Sequence, residues 1–132
     1  MPAKDIFDVK DERDFEERVL RSKEPIIISF DTPMSDTCKI NQERLVKVVE
    51  NGKKNLAIAK VDITQLEDIA RKYDAMAVPT VAVACDGKIR SQVTGMQEPD
   101  DIKNFVRESL LDRQKSIDEE LEFPIYVGPR YY

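Results

Sequence analysis

The continuous apolar run from Pro25 to Phe30 constrains the fold of this chain more than any other feature of its sequence. A strand with one face in solvent alternates apolar and polar side chains, whereas this run carries apolar side chains on both faces. The run therefore predicts a central strand that helices cover from both sides. A helical pattern follows from Ser35 to Asn51, and its predicted inward-facing residues are Ile40, Leu45, Val48 and Val49.

Shorter strands and helices alternate along the rest of the chain. The predicted strands are Ile6 to Val9, Leu56 to Ile63, Val78 to Cys85 and Lys88 to Thr94. The predicted helices are one capped by Asp11, one from Thr64 to Asp74 and one from Glu98 to Leu111. A capping box is predicted between Thr64 and Glu67, and Asp86-Gly87 predicts a tight hairpin. The order βαβαβα followed by ββα indicates a three-layer α/β fold whose last two strands pair antiparallel.

Length and composition exclude several classes of protein. With 132 residues, the chain is expected to form one domain over residues 1–111, followed by a charged and then aromatic tail over 112–132. Its net charge of -5 argues against binding to nucleic acid or to an anionic membrane. Its apolar runs fall short of the roughly 20 residues that span a bilayer. The chain has no histidine and only 2 cysteines, which predicts neither a metal site nor a bound cofactor.

Three segments of the sequence match the pattern of a known family. They are Ile26-Ile27-Ile28-Ser29-Phe30 leading to Cys38-Lys39, Ala59-Lys60-Val61-Asp62-Ile63, and Ala77-Val78-Pro79-Thr80 followed by Asp86-Gly87-Lys88 and Thr94-Gly95. On these segments the chain resembles a thioredoxin, and most closely the mitochondrial type, over roughly residues 5 to 111. The resemblance implies a thioredoxin fold, in which two helical layers enclose a central mixed sheet of five strands.

The resemblance also implies a binding surface for an extended segment of a protein partner. In that family the peptide bond that precedes the proline of Val-Pro-Thr is cis, and the backbone beside it pairs with the bound strand. Pro79 would be that proline here. The implied partner-binding residues are Met34, Val78, Pro79, Thr80 and Gly95.

The redox motif of the family is altered in this chain. The family's Trp-Cys-Gly-Pro-Cys corresponds to Met34-Ser35-Asp36-Thr37-Cys38, so Ser35 stands in the place of the nucleophilic cysteine and only the second sulfur remains. A serine hydroxyl is a far weaker acid than a thiol, and the chain has no histidine to activate it. Three further family positions also differ, namely Ser29 for a buried acid, Asp31 for a tryptophan and Glu43 for a helix-kinking proline.

Residue type predicts separate roles for Ser35 and the two cysteines. Ser35 is expected to cap a helix, with its oxygen accepting from the amide of Thr37 or Cys38. Cys38 is interpreted either as a small buried core residue or as a residual catalytic thiol that could be glutathionylated or trap a partner. Cys85 is expected to be a packing or surface residue. Because Pro79 lies beside the motif and Cys85 lies farther along the same strand, about 20 Å away, a disulfide between the cysteines is rejected.

Two functions remain as hypotheses. The first is a redox-inactive or strongly impaired interaction module that binds a protein or peptide in an extended conformation. The alternative is a thiol–disulfide oxidoreductase that works as a monothiol through Cys38. A cytoplasmic location is expected, because the first residues carry no targeting pattern and the cysteines suit a reducing compartment, with the mitochondrial matrix as the alternative if a presequence is missing.

The C-terminal segment from Phe123 to Tyr132 is rich in aromatic residues. It is predicted to dock on a partner or, within the molecule, on the chain's own groove near Pro79. The alternative is that it packs against the domain, or that the last helix continues beyond Leu111 and is followed by a disordered end.

Overall fold

A computed structural model describes residues 5–52 and 54–122, with side chains as far as residue 111. Its strands are β1 (Ile6–Asp8), β2 (Ile26–Asp31), β3 (Ala57–Asp62), β4 (Thr80–Cys85) and β5 (Lys88–Thr94). Its helices are α1 (Glu12–Phe15), which continues as a π-helical turn over Glu16–Leu20, α2 (Asp36–Asn51), α3 (Glu67–Lys72) and α4 (Pro99–Glu122). The order of elements predicted from the sequence is confirmed.

The described strands form one mixed sheet in the order β1-β3-β2-β4-β5. β2 lies at the centre, parallel to β3 and antiparallel to β4. β5 pairs antiparallel with β4 through a turn at Asp86 and Gly87, whose φ angles are 54° and 85°. A tight hairpin needs positive φ at its turn residues, and Asp-Gly adopts such angles readily. The central position of the apolar run and the antiparallel final pair are therefore as predicted.

Alternate residues of β2 face two separate cores. One core contains Ile28 together with buried residues of α1 and α3. The other contains Ile27 together with buried residues of α2 and α4. Because successive strand residues point to opposite faces, Ser29 and Asp31 lie on the same face of the sheet as Ile27, toward α2. This face carries the polar part of the candidate site.

The prediction that Ile40 faces inward is wrong. Ile40 is 41% exposed, and Val48 is only half-buried. The buried residues of α2 are Cys38, Asn41, Leu45 and Val49. Their spacing follows one face of an α-helix, and Ile40 lies beside that face rather than on it.

The capping box predicted at Thr64 does not form. The Thr64 hydroxyl donates to Oδ1 of Asp62 at 2.6 Å, and the Thr64 amide donates to the same oxygen at 2.9 Å. This turn uses the hydroxyl that would have capped the helix. α3 therefore begins later, at Glu67, and has no side-chain cap.

The last helix continues to Glu122 instead of ending at Leu111. The alternative of a helix that extends beyond Leu111 is therefore the one that the structure shows. No glycine or proline occurs between these two residues, and the first strong helix breaker beyond them is Pro124. The charged stretch that begins at Asp112 therefore extends α4. The boundary between domain and tail at residue 111 stays a prediction.

Candidate functional site

The edge of the sheet where β2 ends brings three loops together. Phe30 of β2 pairs with Thr80 of β4, and Thr80 pairs with Thr94 of β5. The loop before α2, the loop before β4 and the loop after β5 therefore meet at this edge. The amide of Gly95 donates to the carbonyl oxygen of Pro79 at 2.8 Å, which joins the second and third loops.

The loop before β4 contains three of the residues assigned to partner binding. The peptide bond between Val78 and Pro79 is cis. Val78 is half-buried, whereas Pro79 is buried. Thr80 is fully buried, and its hydroxyl lies 2.5 Å from the carbonyl oxygen of Ala77 and 3.2 Å from the hydroxyl of Thr94. The Thr80 side chain therefore shapes the loop and does not contribute surface to a partner.

Each of the three loops carries one exposed methionine. Met34 is 88% exposed, Met76 is 37% exposed and Met96 is 45% exposed. Met34 precedes α2, Met76 lies before β4 and Met96 follows β5, and we call this set the methionine rim. Sequence reasoning named Met34 and missed the other two, although both are close in sequence to residues that it named. An unbranched thioether side chain adapts to differently shaped apolar partners.

A buried polar network holds the loop after β5 against α2. Asn41 is 1% exposed, and its Oδ1 accepts a hydrogen bond from the amide of Gln97 at 2.9 Å. Arg44, on the next turn of α2, donates to the carbonyl oxygen of Gln97 at 2.8 Å. Sequence reasoning missed this network, for which the only signal was an asparagine among the apolar residues of a helix. The network fixes one side of the methionine rim relative to α2.

Ser35 caps α2 with its hydroxyl. The Ser35 oxygen accepts from the amide of Cys38 at 3.2 Å and lies 2.8 Å from the hydroxyl of Thr37. The Ser35 backbone is extended, with φ of -108° and ψ of 123°, as is usual for an N-cap residue. These contacts occupy the hydroxyl, and the sequence contains no histidine that could act as its general base.

Cys38 lies inside the protein beneath the first turn of α2. It is 2% exposed, it is not bonded to Cys85, and Cys85 is also buried. Cys38 forms part of the wall of a cavity of about 300 Å³. The charged residues that line this cavity are Asp8, Asp31, Lys39, Lys60 and Asp62. Neither Pro79 nor any methionine of the rim lines this cavity.

Asp31 is a half-buried charged residue of the cavity wall. Its Oδ2 accepts from the Ser29 hydroxyl at 2.6 Å, whereas its buried Oδ1 has no hydrogen-bond partner among the described residues. Burial raises the pKa of Asp31 above its ordinary value of 3.8, and repulsion from Asp62 adds to the rise. The hydrogen bond from Ser29, the contact with the Cys38 side chain and the charge of Lys60 oppose it. A carboxyl group with a raised pKa therefore lies beside the Cys38 sulfur.

The raised pKa implies that Asp31→Asn stabilises the protein in a pH-dependent way. Since the pKa of Asp31 is higher in the folded state than in the unfolded state, folding stability decreases as the pH rises through the folded-state value. Asparagine cannot ionise, so the variant is expected to melt a few degrees above the native chain at pH 7. This difference in melting temperature should become smaller as the pH falls toward 4. Circular dichroism melting curves across this range measure both effects.

Asp36→Asn is the control for this experiment. Asp36 is exposed in the first turn of α2, where a negative charge interacts favourably with the helix dipole. Its replacement is expected to lower the melting temperature slightly. An effect of Asp31→Asn that is equal at every pH would contradict the assignment of a raised pKa.

Comparison with solved structures identifies the fold. The structure is similar to a mutant thioredoxin from Halobacterium salinarum, with a TM-score of 0.71 and 19% identity over 83% of this chain and 94% of that chain. It is also similar to oxidised mitochondrial thioredoxin 3 of Saccharomyces cerevisiae, with a TM-score of 0.69 and 20% identity over 78% of this chain and 94% of that chain. These likenesses establish the thioredoxin fold.

Sequence comparison extends the assignment from fold to family. The thioredoxin family model matches residues 6–108. The mitochondrial thioredoxins of Bos taurus and Mus musculus are each 34% identical to this chain over 101 residues, which cover 76% of this chain and 61% of theirs. The chain belongs to the thioredoxin family. The matched region thus spans about three fifths of the length of these mitochondrial relatives.

Within residues 5–52 and 54–122, no helix is both long and apolar enough to cross a bilayer.

Proposed function

We propose that this member of the thioredoxin family binds an extended segment of a protein partner at the methionine rim and does not reduce disulfides as a dithiol enzyme. The observation that carries this proposal is the contrast between Met34, which is 88% exposed, and Cys38, which is 2% exposed. Exposed apolar side chains favour association with a partner. A buried sulfur is poorly placed to make the first attack on a protein disulfide.

The loops of the methionine rim are held in place before any partner binds. The hydrogen bond from Gly95 to Pro79 joins the loop after β5 to the loop before β4, and the hydrogen bond from Gln97 to Asn41 fixes the loop after β5 to α2. A surface that is ordered in advance loses less conformational entropy on binding. This arrangement supports a binding role for Met34, Val78 and Gly95.

Binding of apolar peptides by the native chain tests the proposal. Isotope-labelled protein is titrated with a pool of short peptides rich in apolar residues, and amide chemical shifts are recorded. The shifts are expected to concentrate at Met34, Val78 and Gly95. Met34→Lys introduces a strongly hydrated charge into the rim and is expected to weaken binding by about tenfold.

Leu111→Lys is the matched control for Met34→Lys. Leu111 is also an exposed apolar residue, at 59%, but it lies on α4 outside the methionine rim. Its replacement is expected to leave peptide affinity unchanged. Equal losses in the two variants, or shifts that avoid the rim, would contradict the proposed binding surface.

A second candidate function is a monothiol oxidoreductase that works through Cys38. One observation favours it, namely that Cys38 lines a cavity beside the buried carboxyl group of Asp31. Reduction of insulin disulfides separates the two functions, with Cys38→Ser as the control. Robust turnover that disappears in Cys38→Ser would contradict the binding-module proposal, whereas no turnover together with an unreactive Cys38 would contradict the monothiol.

The proposed docking segment from Phe123 to Tyr132 lies outside the described residues. α4 starts beside the methionine rim and runs back along β5, as the 2.5 Å contact between the hydroxyls of Ser91 and Ser109 shows. Its 24 residues correspond to a rise of about 36 Å. Ten extended residues span at most about 36 Å. Return to the chain's own groove would require nearly the full reach of the segment, which favours docking on a partner.

The cellular location stays a prediction. The sequence pattern favours the cytoplasm, whereas the names of the mammalian relatives favour mitochondria. Fractionation of native cells, with detection by an antibody against this chain, distinguishes the two compartments.

A further inference from the structure

Neighbouring strands place four polar residues on the side of the sheet that faces α2. In the parallel register of β2 and β3, Ser29 lies opposite Lys60 and Asp31 lies opposite Asp62. These positions alternate with residues that face the other core, so all four share the α2 face. The first turn of α2 adds Cys38. The carboxyl group of Asp31 and the thiol of Cys38 are thus held by a strand and a helix rather than by mobile loops.

The Asp31 carboxyl group has one oxygen available to receive a proton. The Ser29 hydroxyl occupies Oδ2 at 2.6 Å and thereby sets the orientation of the carboxyl group. Oδ1 is buried and lacks a hydrogen-bond partner within the described part of the chain. A buried acceptor without a partner is costly, so a nearby donor is strongly favoured. The thiol of Cys38, which is a weak donor, lies in the wall of the same cavity as this carboxyl group.

We propose that Asp31 accepts the thiol proton of Cys38 when Cys38 attacks a small disulfide that has entered the cavity. The S–H bond of Cys38 breaks, and its proton passes to Oδ1 of Asp31. The Cys38 sulfur then bonds to one sulfur of the reagent, whose own S–S bond breaks. The departing half leaves as a thiolate and takes a proton from solvent, so that Cys38 is oxidised and the reagent is reduced.

The cavity limits this reaction to small reagents. Cys38 is 2% exposed, and the cavity volume is about 300 Å³, which excludes a folded protein but admits a small organic disulfide. The other charged groups that line the cavity have both signs, namely Asp8, Asp62, Lys39 and Lys60. Lys60 pairs with Asp8 at 3.8 Å. The near balance of charge suits a neutral reagent. This site is distinct from the methionine rim, and the proposal does not depend on peptide binding.

The rate of reaction with 4,4′-dithiodipyridine tests the proposal. The full chain carries Cys85→Ser, so that Cys38 is its only thiol, and release of thiopyridone is followed by absorbance across a range of pH. Asp31→Asn is expected to lower the second-order rate constant at pH 7 by about tenfold or more, because the proton acceptor is lost. If Asp31 acted only through its negative charge, its removal would favour the thiolate and the rate would rise. A higher or unchanged rate therefore overturns the proposal.

Two further variants keep the test decisive if Asp31→Asn folds poorly. Asp36→Asn changes the charge near Cys38 by one unit at an exposed residue that does not line the cavity, and its rate constant should stay within about twofold of the parent. Ser29→Ala removes the hydrogen bond to Asp31, so the pKa of Asp31 should rise and the midpoint of the pH–rate profile should move to higher pH. If the midpoint of the pH–rate profile does not move in Ser29→Ala, the proposal is overturned. It is also overturned if the folded parent does not react with the reagent while the urea-unfolded parent does.

Discussion

Ser35→Cys is expected to increase insulin-disulfide reduction by at least about a hundredfold over the native chain. The Ser35 oxygen lies 3.2 Å from the amide of Cys38 at the start of α2. A sulfur at this position would be stabilised as a thiolate by the helix N-terminus and would be more accessible than Cys38. Since Cys38 lies one turn away, it could resolve the mixed disulfide. A coupled turbidity or thiol-release assay measures the gain.

Two controls separate the added sulfur from other effects. Ser35→Ala removes the helix cap without adding a thiol, and it should cost about 1 kcal/mol of stability without creating turnover. Ser35→Cys combined with Cys38→Ser keeps an attacking sulfur but lacks the resolving one, so it should accumulate a mixed disulfide. A Ser35→Cys variant that forms the 35–38 disulfide yet reduces no insulin would show that the surrounding residues no longer support exchange.

Asn41→Ala is expected to lower the free energy of unfolding by about 2 kcal/mol. Asn41 is 1% exposed, and its Oδ1 is the acceptor for the amide of Gln97. Without that oxygen, the Gln97 amide would lack this partner inside the protein. Urea unfolding measures the loss of stability, and hydrogen exchange should show faster opening of the loop around Gly95.

Gln42→Ala is the matched control for Asn41→Ala. Gln42 is the next residue of α2 and is only half-buried, so its truncation is expected to change stability by less than about 0.5 kcal/mol. Similar losses in the two variants would mean that a general effect on the helix, rather than the contact with Gln97, determines stability. Unchanged hydrogen exchange at Gly95 in the Asn41→Ala variant would show that the network does not hold the loops of the methionine rim.

The fold was predictable because its signals are local. The apolar run of β2, the period of each helix and the Asp86-Gly87 turn all follow from residues close in sequence. The errors arose where a side chain had two competing partners or where a residue lies at the border of the buried face of a helix. Thr64 bonds to Asp62 instead of capping α3, and Ile40 lies beside the buried face of α2.

Only part of the candidate site could be predicted, because its main interactions join distant residues. The cap at Ser35 follows from residue type at a helix start, and the structure shows the corresponding hydrogen bond. The contact between Asn41 and Gln97 joins residues 56 positions apart and has no local pattern. Asp31 was recognised as a substituted tryptophan, but its burial and raised pKa could not be predicted, since they depend on neighbours from β3 and α2.

The two edge strands limit how this sheet can associate with other chains. β1 is only 3 residues long. β5 carries Lys88 and Arg90, and its pairing with β4 shifts register between Val83 and Ala84. Short, charged or irregular edges are poor templates for another strand, which protects a sheet with an isoleucine-rich centre from aggregation. Addition of a strand from another chain is therefore disfavoured at both edges of the sheet. Association through the loops at the end of the strands is favoured instead.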